Sequence, residues 1–275
     1  MYLPSKPQKT CRQVGAKWGE TLRQIKVGLC GFTVGMAQYP RHFPVVEIQQ
    51  TFYQPPENDT LRRWRANAPP DFEFTLKAWQ LITHTSTSST YRRMRRVLTA
   101  SERNAVGAFR ATRIVDEGWC RSVECAEILS ATAILFQSPA SFRPTEENIG
   151  NLQTFFNRIE RPKGIRLMWE PRGLWPAQQV AQLCAELALV HVVDPFVNDA
   201  QTHSPAYFRL HGVTGSRHTY TDDELRWLLT RIPDDGDVYV MFNNLPRVGD
   251  ARRFITLAGA DTRSEARSPT SVRRP

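Results

Sequence analysis

AYFRLHG, residues 206–212, carries the periodicity from which the rest of the chain can be read. Side chains along an extended strand alternate between its two faces, so Arg209 and His211 share one side while Phe208 and Leu210 share the other. A strand that is apolar on one face and ionic on the other toward its carboxyl end suits a closed α/β barrel. There helices cover the outer face and the inner face opens into a mouth. The same alternation recurs upstream. FEFTLKA (72–78) sets Phe72, Phe74 and Leu76 against Thr75 and Lys77, and VVEIQQT (45–51) sets Val46 and Ile48 against Glu47, Gln49 and Thr51. AILFQ (133–137) turns Gln137 away from Ile134 and Phe136, and IRLMWE (165–170) aims Glu170 inward.

Working outward from these segments, eight β-rich runs emerge: 26–32, 45–51, 72–78, 133–137, 165–170, 189–194, 206–212 and 237–243. Helical spacing fills the intervals at 59–68, 116–131, 146–160, 177–188 and 222–231. The last opens on a capping box formed by Thr221 and Glu224. Pro139, Pro171 and Pro195 follow the fourth, fifth and sixth runs, where a residue without an N–H ends a central ladder. No strand is followed by a glycine-rich phosphate turn, so a doubly wound nucleotide fold fits less well than one (β/α)₈ TIM barrel. The interval from Trp79 to Thr132, with its Thr/Ser run at 83–90 and the basic segment from Tyr91, is long enough for a lid or rim insertion.

The domain reading is an extension over 1–24, a barrel domain over 25–260 and a basic tail over 261–275. The tail, rich in Arg, Ser, Thr and Pro, has almost nothing to bury. Both ends are expected to be disordered. Five cysteines, an odd number without a CxxC pair, suit a reducing cytoplasmic setting rather than a disulfide framework. No segment approaches the roughly 20 apolar residues of a membrane span, so no membrane partner is expected. The net charge of +9 favours anionic partners. Arg92, Arg93, Arg95 and Arg96 form one local cluster that reads as a solvated face or as a nucleic-acid contact.

Almost every strand delivers a polar group to one rim. Glu47, Lys77, Gln137, Glu170, Arg209 and His211 are placed there by parity, Asp194 and Asn243 by ending the sixth and eighth runs, and Arg172 lies just beyond the fifth. Three cations (Lys77, Arg172, Arg209) facing three carboxylates and a histidine suit an anionic substrate and acid/base chemistry, with Glu170, Asp194 and His211 as the catalytic candidates. Glu170 and Asp194, ending neighbouring strands, also have the placement of a glycosidase carboxylate pair. Interleaved cations disfavour a metal, and neither metal nor cofactor is expected. Cys30 beside His211 is a nucleophile candidate, against the plainer reading of a small buried hydrophobe. Phe32, Phe52, Tyr53, Trp79, Trp169 and Tyr220 are candidates to line the mouth.

The ordered segments VGLCGF, VVEIQQTFYQPP, TLRRWRANAPPDFEFTLKAWQLITH, LFQSPASFRPT, WEPRGLW, HVVDPF, YFRLHG and VYVMFNN resemble the YecE-like family, domain of unknown function 72, over about 26–258. That resemblance implies a TIM barrel and a pocket around Glu47, Thr51, Tyr53, Lys77, His84, Gln137, Glu170, Arg172, Asp194, Arg209, His211 and Asn243. It implies no reaction. Gln49 and Gln50 depart from the Asn-Ser pair common at these positions in the family. The functional expectation is a hydrolase-type enzyme for a small anionic substrate, phosphorylated or derived from nucleic acid. The alternatives are a non-catalytic nucleic-acid binder working through 92–96 and a metal-dependent phosphoesterase or nuclease.

Overall fold

The computed structural model describes residues 24–33 and 35–265; of the expected extension over 1–24 all but Gln24, which opens the first strand, and of the expected tail over 261–275 all but 261–265, which continue the last helix, lie outside the described residues. The strands are β1 (Gln24–Cys30), β2 (Val45–Ile48), β3 (Glu73–Lys77), β4 (Ala133–Ser138), β5 (Arg166–Pro171), β6 (Val190–Val193), β7 (Ala206–Leu210) and β8 (Asp237–Phe242). All pair in parallel with their sequence neighbours, and β8 closes on β1, giving a closed barrel in the order β1 to β8. The helices are α1 (Gln50–Tyr53), α2 (Asn58–Ala66), α3 (Gln80–Thr83), α4 (Ala100–Ala105), α5 (Arg113–Leu129), α6 (Glu146–Arg158), α7 (Ala177–Glu186), α8 (Asp222–Leu229) and α9 (Arg247–Glu265). Every strand expected from periodicity is present, and the Thr221/Glu224 capping box starts α8.

Parity sorts the core as a barrel demands. Val46, Ile48, Phe74, Leu76, Ile134, Phe136, Phe208 and Leu210 belong to the layer between strands and helices. Val45, Ala133, Leu135, Met168, Val192, Tyr207, Tyr239 and Met241 fill the interior. Gly28 is required there: a Cβ on it would meet the Val45 carbonyl oxygen at 2.3 Å and the Met241 methyl at 2.9 Å. The amino-terminal end of the barrel is closed by Lys26, which pairs with Glu73 at 2.9 Å and Asp237 at 3.4 Å, while the Tyr239 hydroxyl donates to Glu73 at 2.6 Å. A cavity of about 740 Å³ lies at that end, lined by Lys26, Glu73, Arg166 and Asp237, whose charges are matched with one another.

Two local departures from the expected pattern bear on the site. The alternation of VVEIQQT stops at Ile48, because the chain turns directly into α1. Thr51 is therefore no inward strand residue. Its hydroxyl donates to the carbonyls of Lys77 (2.7 Å) and Ile48 (3.2 Å), tying α1 to the end of β3. The connection 194–205 between β6 and β7 contains turns and bends but no helix, so the outer ring is thin at that place. The interval 79–132 forms an anchored rim. Trp79, Leu81, Leu98, Val106 and Ile114 make a small core of their own, with Tyr91 and Met94 packed against it.

Candidate functional site at the carboxyl ends of the strands

Two ionic groups share the mouth of the barrel. The first is centred on Arg209, whose side chain is 1% exposed. Its Nε and Nη2 donate to the two oxygens of Glu47 at 3.1 and 2.9 Å, and its Nη1 donates to Gln137 Oε1 at 3.1 Å and to Glu170 Oε2. Glu47 also accepts from the Tyr207 hydroxyl (2.9 Å) and from the Gln49 side-chain amide. Every face of this guanidinium that points into the barrel is occupied by protein acceptors. Cys30 lies 3.7 Å from Nη2, and burial pushes its thiol well above the ordinary range. A thiol held protonated is no nucleophile, so Cys30 is a packing residue.

Lys77 stands beside this group yet makes no ion pair among the described residues. Its ammonium donates to Gln137 Oε1 at 3.0 Å and lies 3.9 Å from the centre of the Phe52 ring. Burial, and then the Arg209 charge, bring its pKa down to about 8. His84 packs edge-on against Phe52, with ring centres 4.9 Å apart, and its Nδ1 meets the Thr83 hydroxyl at 2.7 Å. Burial, then the charge of Lys77, lower its pKa to about 3, so the imidazole stays neutral. Tyr53 continues this line toward solvent: its ring contacts Phe52, and the Arg93 guanidinium lies 3.5 Å from its centre.

The second group is built from β5, β6 and β7. Asp194 accepts from the backbone N–H of His211 at 2.9 Å and from the backbone N–H of Phe196 at 3.1 Å. Its Oδ2 lies 3.3 Å from His211 Nδ1. A carboxylate only accepts, so this contact assigns the proton to Nδ1 and leaves the Nε2 lone pair facing outward. Arg172 Nη1 donates to that Nε2 at 2.9 Å and to Glu170 Oε1 at 3.0 Å. The Arg172 side chain is 42% exposed, in contrast to buried Arg209. Glu170 bridges the two groups. Burial disfavours its charge, but Arg209, His211, Arg172 and Lys77 outweigh that and hold its pKa at about 2.

A cavity of about 900 Å³ opens over this second group, between the loops that follow β5 to β8. Glu170, Arg172, Asp194, His211 and Asn243 line it, and Trp175 forms part of the wall, its ring stacked against Phe142. Glu47, Thr51, Tyr53, Lys77, His84, Gln137 and Arg209 do not line it. The residues expected on one rim thus divide into five that line the cavity and seven that do not, each of the seven tied to buried partners. Of the expected mouth aromatics, Trp169 and Tyr220 are core residues, and Phe32 packs on Tyr39 and Trp64. Asn244 is buried against Asp250 at 2.6 Å and takes no part. Sequence reasoning missed Leu174 and Trp175 as cavity residues. An apolar and aromatic pair directly after the strand-ending WEPR was the signal available.

Among the described residues, no group of three or more His, Cys, Asp or Glu is arranged to hold a metal ion. The donor set agrees, since each buried carboxylate of the mouth is already bonded to a guanidinium or an imidazole. No helix among the described residues is long and apolar enough to cross a membrane.

A family model described as "Protein of unknown function DUF72" matches residues 33–273. Among solved structures, a DUF72 family protein from Enterococcus faecalis V583 is similar with a TM-score of 0.64 at 22% identity, covering 86% of this chain and 98% of that one. A DUF72 family protein from Thermotoga maritima MSB8 gives 0.62 at 18% identity, covering 86% and 99%. A xylose isomerase domain containing protein from Salmonella typhimurium LT2 gives 0.51 at 12%, covering 89% and 98%. At such identities these likenesses speak for the barrel fold. No curated protein matches the chain.

Proposed function

We propose, from the premise that the chain belongs to the DUF72 family, that it is an acid/base enzyme of hydrolase type whose anionic substrate binds in the cavity above His211 and Arg172. One observation carries this reading: Asp194 fixes the His211 tautomer, and the exposed Arg172 donates to the nitrogen that would do the proton transfer. An anion entering the cavity competes with Nε2 for the Arg172 guanidinium, which offers five donors in a fork suited to carboxylate or phosphate. As Arg172 turns onto the anion, Nε2 is released as a base for a water or a substrate hydroxyl. The developing imidazolium is then stabilised by Asp194 and Glu170.

Roles within the rim follow from accessibility. His211 is the proton carrier, Asp194 orients it, and Arg172 holds the anion with Asn243 alongside. Glu170, held ionised by its cations, is an electrostatic partner of Arg172 and His211 rather than a general acid, which weakens a glycosidase-like carboxylate pair. Glu47, Gln137, Lys77 and Arg209 form the support beneath. This refines the sequence expectation of a clamp made by Lys77, Arg172 and Arg209 to one made by Arg172.

The test is stabilisation by inorganic phosphate, followed as a shift of the thermal midpoint across a phosphate titration. Arg172→Ala is expected to weaken binding by about tenfold or more, the scale of losing a charge-assisted hydrogen bond. His211→Ala, which also frees Arg172 from its internal acceptor, is expected to retain or strengthen phosphate binding while abolishing turnover of a phosphate ester that the wild type cleaves. Equal phosphate stabilisation in the wild type and Arg172→Ala rejects the assignment.

A second reading has one observation in its favour. Arg92 and Arg95 are exposed and make no ion pair among the described residues, and Arg93 lies on Tyr53, which touches Phe52 beside Lys77. Cations and aromatic faces in sequence suit a nucleic-acid strand. Arg96 does not contribute, because Glu102 and Glu117 neutralise it. Oligonucleotide affinity that falls steeply with salt, and falls further when Arg92 and Arg95 are replaced by Glu while His211→Ala leaves it unchanged, would favour this reading.

A further inference from the structure

Among the described residues seven large apolar side chains are exposed, and four of them fall in consecutive loops. Leu174 (94% exposed) follows β5, Val197 (71%) follows β6, Val213 (49%) follows β7 and Leu245 (64%) follows β8. These are the loops around the cavity, and Leu174 and Val197 line it directly, together with Trp175 and Val180. The Trp175 indole is fixed, stacked on Phe142 and donating from its Nε1 to the Phe142 carbonyl at 2.9 Å. A cavity of about 900 Å³ belongs to the size range of sites for whole organic ligands, roughly 300–1,000 Å³, and far exceeds what a lone inorganic anion fills. Apolar residues grouped at the edge of a polar pit mark contact with something apolar, since isolated exposed hydrophobes scatter over a surface.

We infer that the substrate is an anionic group joined to an apolar or planar body, the anion on Arg172 at the floor and the body between Trp175, Leu174 and Val197 at the lip. The inference rests on the proposed anion site and adds the chemistry of the rest of the molecule. Continuity argues for a small-molecule occupant over a protein, because the lip and the charged floor belong to one cavity. The turn-rich connection 194–205 supplies Val197, Asn198, Asp199 and Gln201 to the same wall.

Binding of inorganic phosphate, glycerol phosphate and phenyl phosphate to the full chain, compared by calorimetry, tests this. Phenyl phosphate is expected to bind about tenfold tighter than the other two, and Leu174→Ser together with Val197→Ser to erase about fivefold or more of that preference while leaving inorganic phosphate unchanged. Both positions are exposed, so the double variant has no buried packing to lose. If no phosphate compound binds the wild type, the anion site itself is refuted. If all three bind alike, or the double variant keeps the preference, the anion site stands and the apolar body is refuted. A double variant that alters sedimentation but not phenyl phosphate affinity overturns the inference in favour of a protein contact.

Discussion

Arg209→Met is expected to destabilise the fold by about 3–5 kcal/mol at neutral pH, the scale for removing one partner of a buried ion pair. The guanidinium is the sole cation bonded to Glu47 among the described residues and the main one on Glu170, and its own side chain is 1% exposed. Without it, Glu47 remains buried with only the Tyr207 hydroxyl and the Gln49 amide as donors, and Glu170 keeps Arg172 alone as a bonded guanidinium. The pH dependence separates this cause from a simple packing loss. In the wild type, Glu170 has a folded pKa near 2 against 4.5 unfolded, so its contribution is complete above about 4.5 and is lost as pH falls toward 2. In Arg209→Met, Glu170 keeps Arg172 but Glu47 is left buried with no cation bonded to it, so its charged form is penalised at neutral pH and the penalty eases on mild acidification. The variant should gain stability between about pH 7 and pH 5, where the wild type is flat with respect to this group. Chemical denaturation at several pH values measures both. Adding Glu47→Gln and Glu170→Gln should restore most of the loss, and a variant that tracks the wild type at every pH would rule out the coupled cluster.

That cluster also shows where the sequence stops being informative. Parity placed Arg209, Glu47, Glu170, Lys77 and Gln137 correctly on the inner face, because alternation is a local property of an extended backbone. It could not say which cations were already spent. Arg209 meets Glu47 across 162 residues of sequence and Glu170 across 39, on strands that are not neighbours, and a count of charges at a rim is the same whether they pair or wait for a ligand. The Thr51 placement failed for a local reason: β2 turns into α1 after Ile48, so strand parity no longer applies there, although Gln49 still donates to Glu47. Tyr207 was legible and unread, since the same count that aims Arg209 inward aims Tyr207 at Glu47. The off-centre cavity was not legible, because it follows from the connection 194–205 having no helix, and that segment has neither strand nor helix periodicity to read. The catalytic roles proposed for Asp194 and His211 rest on the two strand ends that the opening heptapeptide and HVVDPF already marked.

Replacing Lys77 should have the opposite sign to replacing Arg209. Arg209 has two carboxylates, whereas the Lys77 ammonium has one amide oxygen and an aromatic face, with a guanidinium close enough to repel it. Its pKa falls from 10.5 to about 8. A lysine whose folded pKa lies below its unfolded one opposes folding wherever both states are protonated. The penalty is therefore complete below about pH 8 and is relieved as pH rises from about 8 to about 10.5, where the folded chain releases the proton and the unfolded chain keeps it. Displacement of that size corresponds to about 3 kcal/mol at neutral pH. Lys77→Met fills nearly the same volume and keeps contact with Phe52, giving up only the bond to Gln137, worth about 1 kcal/mol. The variant is expected to be more stable than the wild type by about 2 kcal/mol at pH 7, with the difference vanishing at about pH 10 and reversing above it toward the cost of the lost hydrogen bond. Urea unfolding of both proteins at pH 7 and 10.5 decides it. A destabilised Lys77→Met at pH 7, or a difference that does not change with pH, would show that the ammonium is held by the carboxylates around it.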